Sequence, residues 1–150
     1  MENQTWICDN CGLPIENAEH GWVEWYVMDT EPFTPKGLRL VHHRTASPYG
    51  GSCQYADNAE ITNQGFRENH QPLRVFLGVD GLMFLLFHIA DDLMPKDEAL
   101  ELIKRLHIPG YEQARLHFER AISEGVIEQQ HPPGYYNQSE IEAVLRFCAQ

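Results

Sequence analysis

Cys8-Asp9-Asn10-Cys11-Gly12 decides how the first part of this chain folds. Two cysteines separated by two residues wrap one metal ion, because the turn between them points both sulfurs inward, and Gly12 suits such a turn. Further along stand His42-His43 and Cys53, so four ligand-type side chains fall within the first 53 residues. Zinc prefers a tetrahedron of thiolate and imidazole, which makes Cys8, Cys11, His42 and Cys53 the expected ligands, in the spacing C-x2-C-x30-H-x10-C. Adjacent residues of a strand point to opposite faces, so only one of the two histidines joins the ion; His42 is the expected one and His43 the alternative.

Four protein ligands leave no open coordination position, so the expected cofactor is a structural zinc, not a Lewis acid. With three thiolates and a neutral imidazole the site carries a formal charge of about −1. A thioredoxin-like C-x2-C would follow a strand and open a helix, and Gly12-Leu13-Pro14 does not read as that helix. Cys148 stands apart in the C-terminal segment, as a small buried apolar residue.

Outward from the cysteines, residues 21 to 28 (GWVEWYVM) are rich in aromatic and β-branched types and read as a strand. Residues 37 to 43 (GLRLVHH) read as a second. Asp29 to Lys36, with Pro32 and Pro35, is the loop of their hairpin. Residues 46 to 71 are rich in Gly, Ser, Asn, Gln and Pro and read as loop, with a module boundary near residue 70.

Beyond it, Leu73 to Leu77 alternates as a short strand, and Asp80 is placed to cap a helix over 81 to 91. Pro95 opens the next helix, whose stripe is Ala99, Leu100, Ile103 and Leu106, ended by Pro109-Gly110. A third spans roughly 111 to 124, with Tyr111, Ala114, Phe118, Ala121 and Ile122 on one face and Gly125 as its C-terminal cap. Val126-Ile127 suits a short strand, His131-Pro132-Pro133-Gly134 a turn, and Ser139 the cap of a last helix carrying Ile141, Val144, Leu145 and Cys148.

Eleven basic side chains against 22 acidic ones give a net charge of −11, shared by both halves of the chain. Polyanion binders draw much of their affinity from Lys and Arg, so this balance disfavours nucleic acid and anionic membrane as partners and leaves a protein partner as the expectation. The longest apolar run, residues 82 to 87, is far short of the ~20 residues of a membrane span. Met1-Glu2-Asn3-Gln4-Thr5 does not begin a secretory signal, so the expected location is the cytoplasm, where cysteines serve metals in preference to disulfides.

Three resemblances bear on function. The first cysteine pair resembles a zinc-ribbon or treble-clef knuckle over the N-terminal third, without the second C-x2-C of those folds. Glu98 to Ile127, with Pro109-Gly110 and Gly125 at the helix ends, resembles the second and third helices and first wing strand of a winged helix-turn-helix, which implies a DNA-binding regulator. Its outer face, Glu112, Gln113, Arg115, Glu119, Arg120 and Glu124, has no net positive charge, which suits protein contact better than DNA. Val41-His42-His43-Arg44 with Gly50-Gly51, Asn58 and His70 resembles a degenerate HNH nuclease, in which His43 would be the general base, Asn58 its positioner and His70 a metal ligand.

The expectation is therefore an α+β chain: a zinc-binding β-hairpin module at residues 1 to 70 and a helical, winged-helix-like module at residues 71 to 150. It is expected to act as an interaction or regulatory module, with the DNA-binding regulator and the nuclease as alternatives. Trp22, Trp25 and Tyr26 are expected to pack the hairpin against the helices.

Overall fold

A computed structural model describes residues 4–28, 30–48, 50–55, 63–129 and 134–150. The architecture is mixed α+β, with two small antiparallel sheets and a set of helices. The short strands β1 (Trp6–Ile7) and β2 (Pro14–Ile15) pair on either side of the C-x2-C turn. The larger sheet has the order β4-β3-β5, with β3 (Gly21–Met28) between β4 (Pro35–His42) and β5 (Phe66–Pro72). β3 is central and mostly buried, and its aromatic and β-branched composition fits that place.

Two glycines shape this sheet. A Cβ at Gly21 would run into the Leu73 side chain, so the strand passes the core here only without a side chain. Gly37 takes φ +69° where the β3–β4 register shifts between Glu24 and Tyr26, which is the backbone a glycine bulge requires. The outer edge of β4 is closed by carboxylates: Leu38 N donates to Glu98 Oε2 (2.7 Å) and Leu40 N to Asp9 Oδ2 (2.8 Å). Capping those N–H groups protects the strand from pairing with another chain.

β5 corrects the loop expected over residues 46 to 71. Its sequence, FRENHQP, is polar and ends in proline, so neither composition nor hydrophobic alternation announces a strand. As an edge strand it needs only the ladder to β3, and Pro72 costs it little there. Leu73–Phe76, expected as a strand, is a 3-10 helix that buries Leu73 and Phe76.

Helix α1 (Gly78–Ala90) starts earlier than expected, with Asp80 in its first turn; α2 (Lys96–His107) carries Asp97 and Glu98 in its first turn. Leu73, Phe76, Leu85, Met94, Ala99, Leu102 and Leu106 share one core with Trp6, Cys8, Ile15, Val23, Trp25, Leu40 and Val41. A boundary near residue 70 would cut that core. The compact units are instead Met1–His107 and Ile108–Gln150.

In the second unit α3 (Tyr111–Ala114) and α4 (Phe118–Ser123) are separated by a 3-10 turn, Arg115–His117, where one helix was expected. Gly125, at φ +74°, ends α4: its N–H donates to Ile122 O and Val126 N–H to Ala121 O, the paired bonds of a Schellman cap. Val126-Ile127 forms no strand. The last helix, α5 (Gln138–Cys148), is capped by Asn137 in a capping box with Glu140, not by Ser139. The two helices likened to a winged helix-turn-helix thus fall in different units, and among the described residues no wing strand follows the second. His131, Pro132 and Pro133 lie outside the described residues.

Candidate metal centre

The turn between β1 and β2 sets the first two sulfurs. Cys8 N donates to Leu13 O (3.0 Å) and Gly12 N to Cys8 O (2.9 Å), while Gly12 takes φ +75° to reverse the chain. Cys8 is buried and Cys11 half-buried. His42 ends β4, buried at the far side of the hairpin, and Cys53 arrives from the loop beyond. Cys53 N donates to Ser47 Oγ (3.1 Å) and Arg39 Nη2 to Cys53 O (2.9 Å), so both neighbouring elements hold the loop that carries it.

Cys8, Cys11, His42 and Cys53 come together, with one ligand atom from each and all four atoms within 4.8 Å of one another. The arrangement is consistent with a metal site. Nδ1 of His42 lies 3.4 Å from Cys11 Sγ and 3.9 Å from Cys53 Sγ, and its Nε2 lies 3.0 Å from Pro14 O. A carbonyl only accepts, so Nε2 carries the proton and the Nδ1 lone pair faces the sulfurs. That outer hydrogen bond is the usual way a protein fixes the tautomer and angle of a ligating imidazole.

Burial pushes the Cys11 thiol up to about 11, helped by Cys8 and Cys53 and opposed by a backbone hydrogen bond from Leu13. Burial also acts to raise Cys53, but hydrogen bonding with Ser47, Asn10, Cys11 and Cys8 outweighs it and the net shift is downward. Of these two thiols, Cys53 ionises first.

Around the cluster lies a polar shell that the ligand pattern alone does not reveal. Asp9, inside the C-x2-C, accepts from Leu40 N and from Arg105 Nη1 (2.9 Å), while its own N–H donates to Leu40 O. Arg105, buried on α2, also donates to Ile7 O (3.0 Å). Arg39 donates to Asn10 Oδ1 (3.4 Å) and, through Nε, to Glu24 Oε2 (2.8 Å), with its guanidinium over the Tyr55 ring. Glu24 is wholly buried, and burial raises its pKa against the pull of Tyr55 N and Arg39. Its Oε1 has no partner among the described residues. A sequence offers one hint of this shell, an acid between two metal-type cysteines.

The other candidates lie elsewhere. Nδ1 of His43 lies 2.9 Å from Thr45 Oγ1, and its ring meets the edge of Trp22; His70 stacks on the same indole and pairs with Glu68. Asn58 lies outside the described residues. Among the described residues the cysteine–histidine cluster is the only grouping suited to a metal, and neither His43 nor His70 belongs to one. His88 donates from Nδ1 to Phe84 O (2.8 Å). Trp25 and Tyr26 are buried, with Trp25 reaching Leu93 beyond α1; Trp22 packs between strand and loop histidines.

Compared with protein-family models, with curated proteins and with solved structures, the chain shows no significant match. No helix among the described residues is long and apolar enough to cross a membrane.

Proposed function

We propose that Cys8, Cys11, His42 and Cys53 hold one structural zinc ion, and that the chain is a cytoplasmic protein-interaction or regulatory module. The observation that carries the zinc reading is the placement of His42 Nδ1 3.4 and 3.9 Å from two thiol sulfurs. A sulfur and an imidazole nitrogen on a tetrahedral zinc stand about 3.6 Å apart, given the ordinary bond lengths. Three sulfurs and one nitrogen suit zinc among the common ions, and calcium or magnesium would call for oxygen. With all four positions taken by protein, the ion holds the knuckle, β4 and the Cys53 loop together and supplies folding energy.

Support for the interaction reading comes from α1. Val79 (84% exposed), Met83 (67%), Leu86 and Phe87 (54%) form an apolar stripe at helical spacing, bounded by Asp80 at one end and Asp91 and Asp92 at the other. The partner that fits is a protein with an apolar helix face flanked by Lys or Arg. DNA binding is not favoured by any observation of the surface. Native mass spectrometry of the purified chain tests the zinc: one ion per molecule, lost on denaturation, is expected. Met83→Glu should abolish a nuclease-insensitive protein contact without altering the zinc content, and a contact that survives it sinks the α1 reading.

A further inference from the structure

On the other face of the central sheet from Glu24 lies a cavity of about 320 Å³ that shares no residue with the cysteine cluster. The β3–β5 register pairs Trp25 with Asn69 and Val27 with Arg67, so these four side chains share one face. The end of α1 stands over them with His88, Asp92 and Leu93, and Phe33 of the hairpin loop forms the rim.

The floor is fixed. Trp25 is buried and its indole N–H donates to Leu93 O (3.1 Å), which ties sheet to helix end. His88 lies edge-on to Trp25 and donates from Nδ1 to Phe84 O, so its Nε2 lone pair is the acceptor. Asp92 takes φ +54°, a left-handed backbone held by Asp92 N to Ile89 O and Leu93 N to His88 O. These are the paired bonds of a Schellman cap at the end of α1, which fix the position of Asp92.

The chemistry of the lining is bipolar. Arg67 and the Asn69 amide on β5 offer donors to an anion, and the five-N–H fork of Arg67 serves more than one contact at once. Asp92 and His88 Nε2 offer acceptors to a cation. Between them Trp25, Val27, Leu93 and Phe33 present apolar surface. Arg67 and Asn69 reach the cavity from β5, and Asp92 and His88 from the end of α1, so a ligand with an anionic and a cationic group can address both elements. The volume is at the lower end of the small-molecule range.

We propose that this cavity binds a free α-amino acid with a large apolar side chain. Its carboxylate is held by Arg67 and Asn69, its ammonium by Asp92 and His88, and its side chain rests on Trp25 between Val27 and Leu93.

The test uses the full-length, metal-loaded protein and the indole N–H signals of its tryptophans in nuclear magnetic resonance, with Trp25 assigned by Trp25→Phe. Added L-phenylalanine is expected to shift the Trp25 signal saturably, with a Kd of about 1 mM or below. Phenethylamine, which lacks the carboxylate, and 3-phenylpropanoate, which lacks the ammonium, are each expected to bind at least about tenfold more weakly. In Arg67→Gln the preference for phenylalanine over phenethylamine should vanish; in Asp92→Asn, which tolerates the left-handed backbone, the preference over 3-phenylpropanoate should vanish. The analogue comparison on the unaltered chain stands even where a variant fails to fold. Absence of a saturable shift up to about 10 mM, or equal binding of all three compounds, overturns the proposal.

Discussion

Arg105 on α2 donates to Asp9 Oδ2 at 2.9 Å, joining two residues 96 positions apart and fastening the cysteine knuckle to the helical side of the core. Because Asp9 sits between two of the candidate ligands, a metal held there and α2 would constrain the same turn. Arg105→Ala removes the buried member of a pair whose Asp9 side chain stays partly exposed, together with its bond to Ile7 O, so a loss of about 2 kcal/mol is expected. Urea unfolding followed by tryptophan fluorescence measures it. A change below about 0.5 kcal/mol would show the pair to be no more than a surface contact.

Arg39 and Glu24 should behave as one unit. Arg39→Met leaves a buried carboxylate with only the Tyr55 N–H, and about 3 kcal/mol of destabilisation is expected. Adding Glu24→Gln removes the stranded charge, so the double variant should be more stable than Arg39→Met alone. Additive losses in that double-mutant cycle would contradict the coupling.

Much of this architecture was legible from the sequence, and the missing parts share a cause. Aromatic and β-branched residues made β3 readable, and the C-x2-C, His42 and Cys53 that the structure brings together were identified by residue type and spacing alone. β5 was hidden because a one-sided edge strand needs neither apolar alternation nor strong β-formers, as Arg67, Glu68 and His70 illustrate. Polar residues 46 to 71 look like a linker, while Leu73, Phe76 and Leu85 belong to the same core as Trp6 and Val23, a long-range packing that composition does not show. The polar partners around the cysteines were hidden because long-range pairs such as Asp9 with Arg105 leave no periodic trace.

Alkaline pH probes the sheet face that carries Tyr26. Burial raises its phenol from about 10 to about 12, with the charges of Tyr55 and Glu24 adding to the shift. The folded state therefore holds this proton more tightly than the unfolded chain. The stability it contributes is fully present below pH 10 and is lost as pH rises through 12, with a slope on the order of 1 kcal/mol per pH unit. Tyr26→Phe should flatten that part of the stability profile by one phenol's share while changing little at neutral pH. An unchanged alkaline slope would count against the assignment.

In the second unit, Asn137→Ala removes the side-chain half of the capping box at the start of α5 and leaves the backbone N–H of residue 137 donating to Glu140. A loss of about 1 kcal/mol is expected, and hydrogen exchange should speed up first in the opening turn of that helix. Uniform exchange along α5 would place its stability elsewhere.

The central claim is that His42, together with Cys8, Cys11 and Cys53, holds one structural zinc. Native mass spectrometry of the unaltered chain, His42→Ala and His43→Ala, prepared identically, tests it most directly. The account predicts one zinc in the unaltered chain and in His43→Ala, and little or none in His42→Ala. Zinc retained by His42→Ala and lost from His43→Ala, or absent from all three, would contradict it.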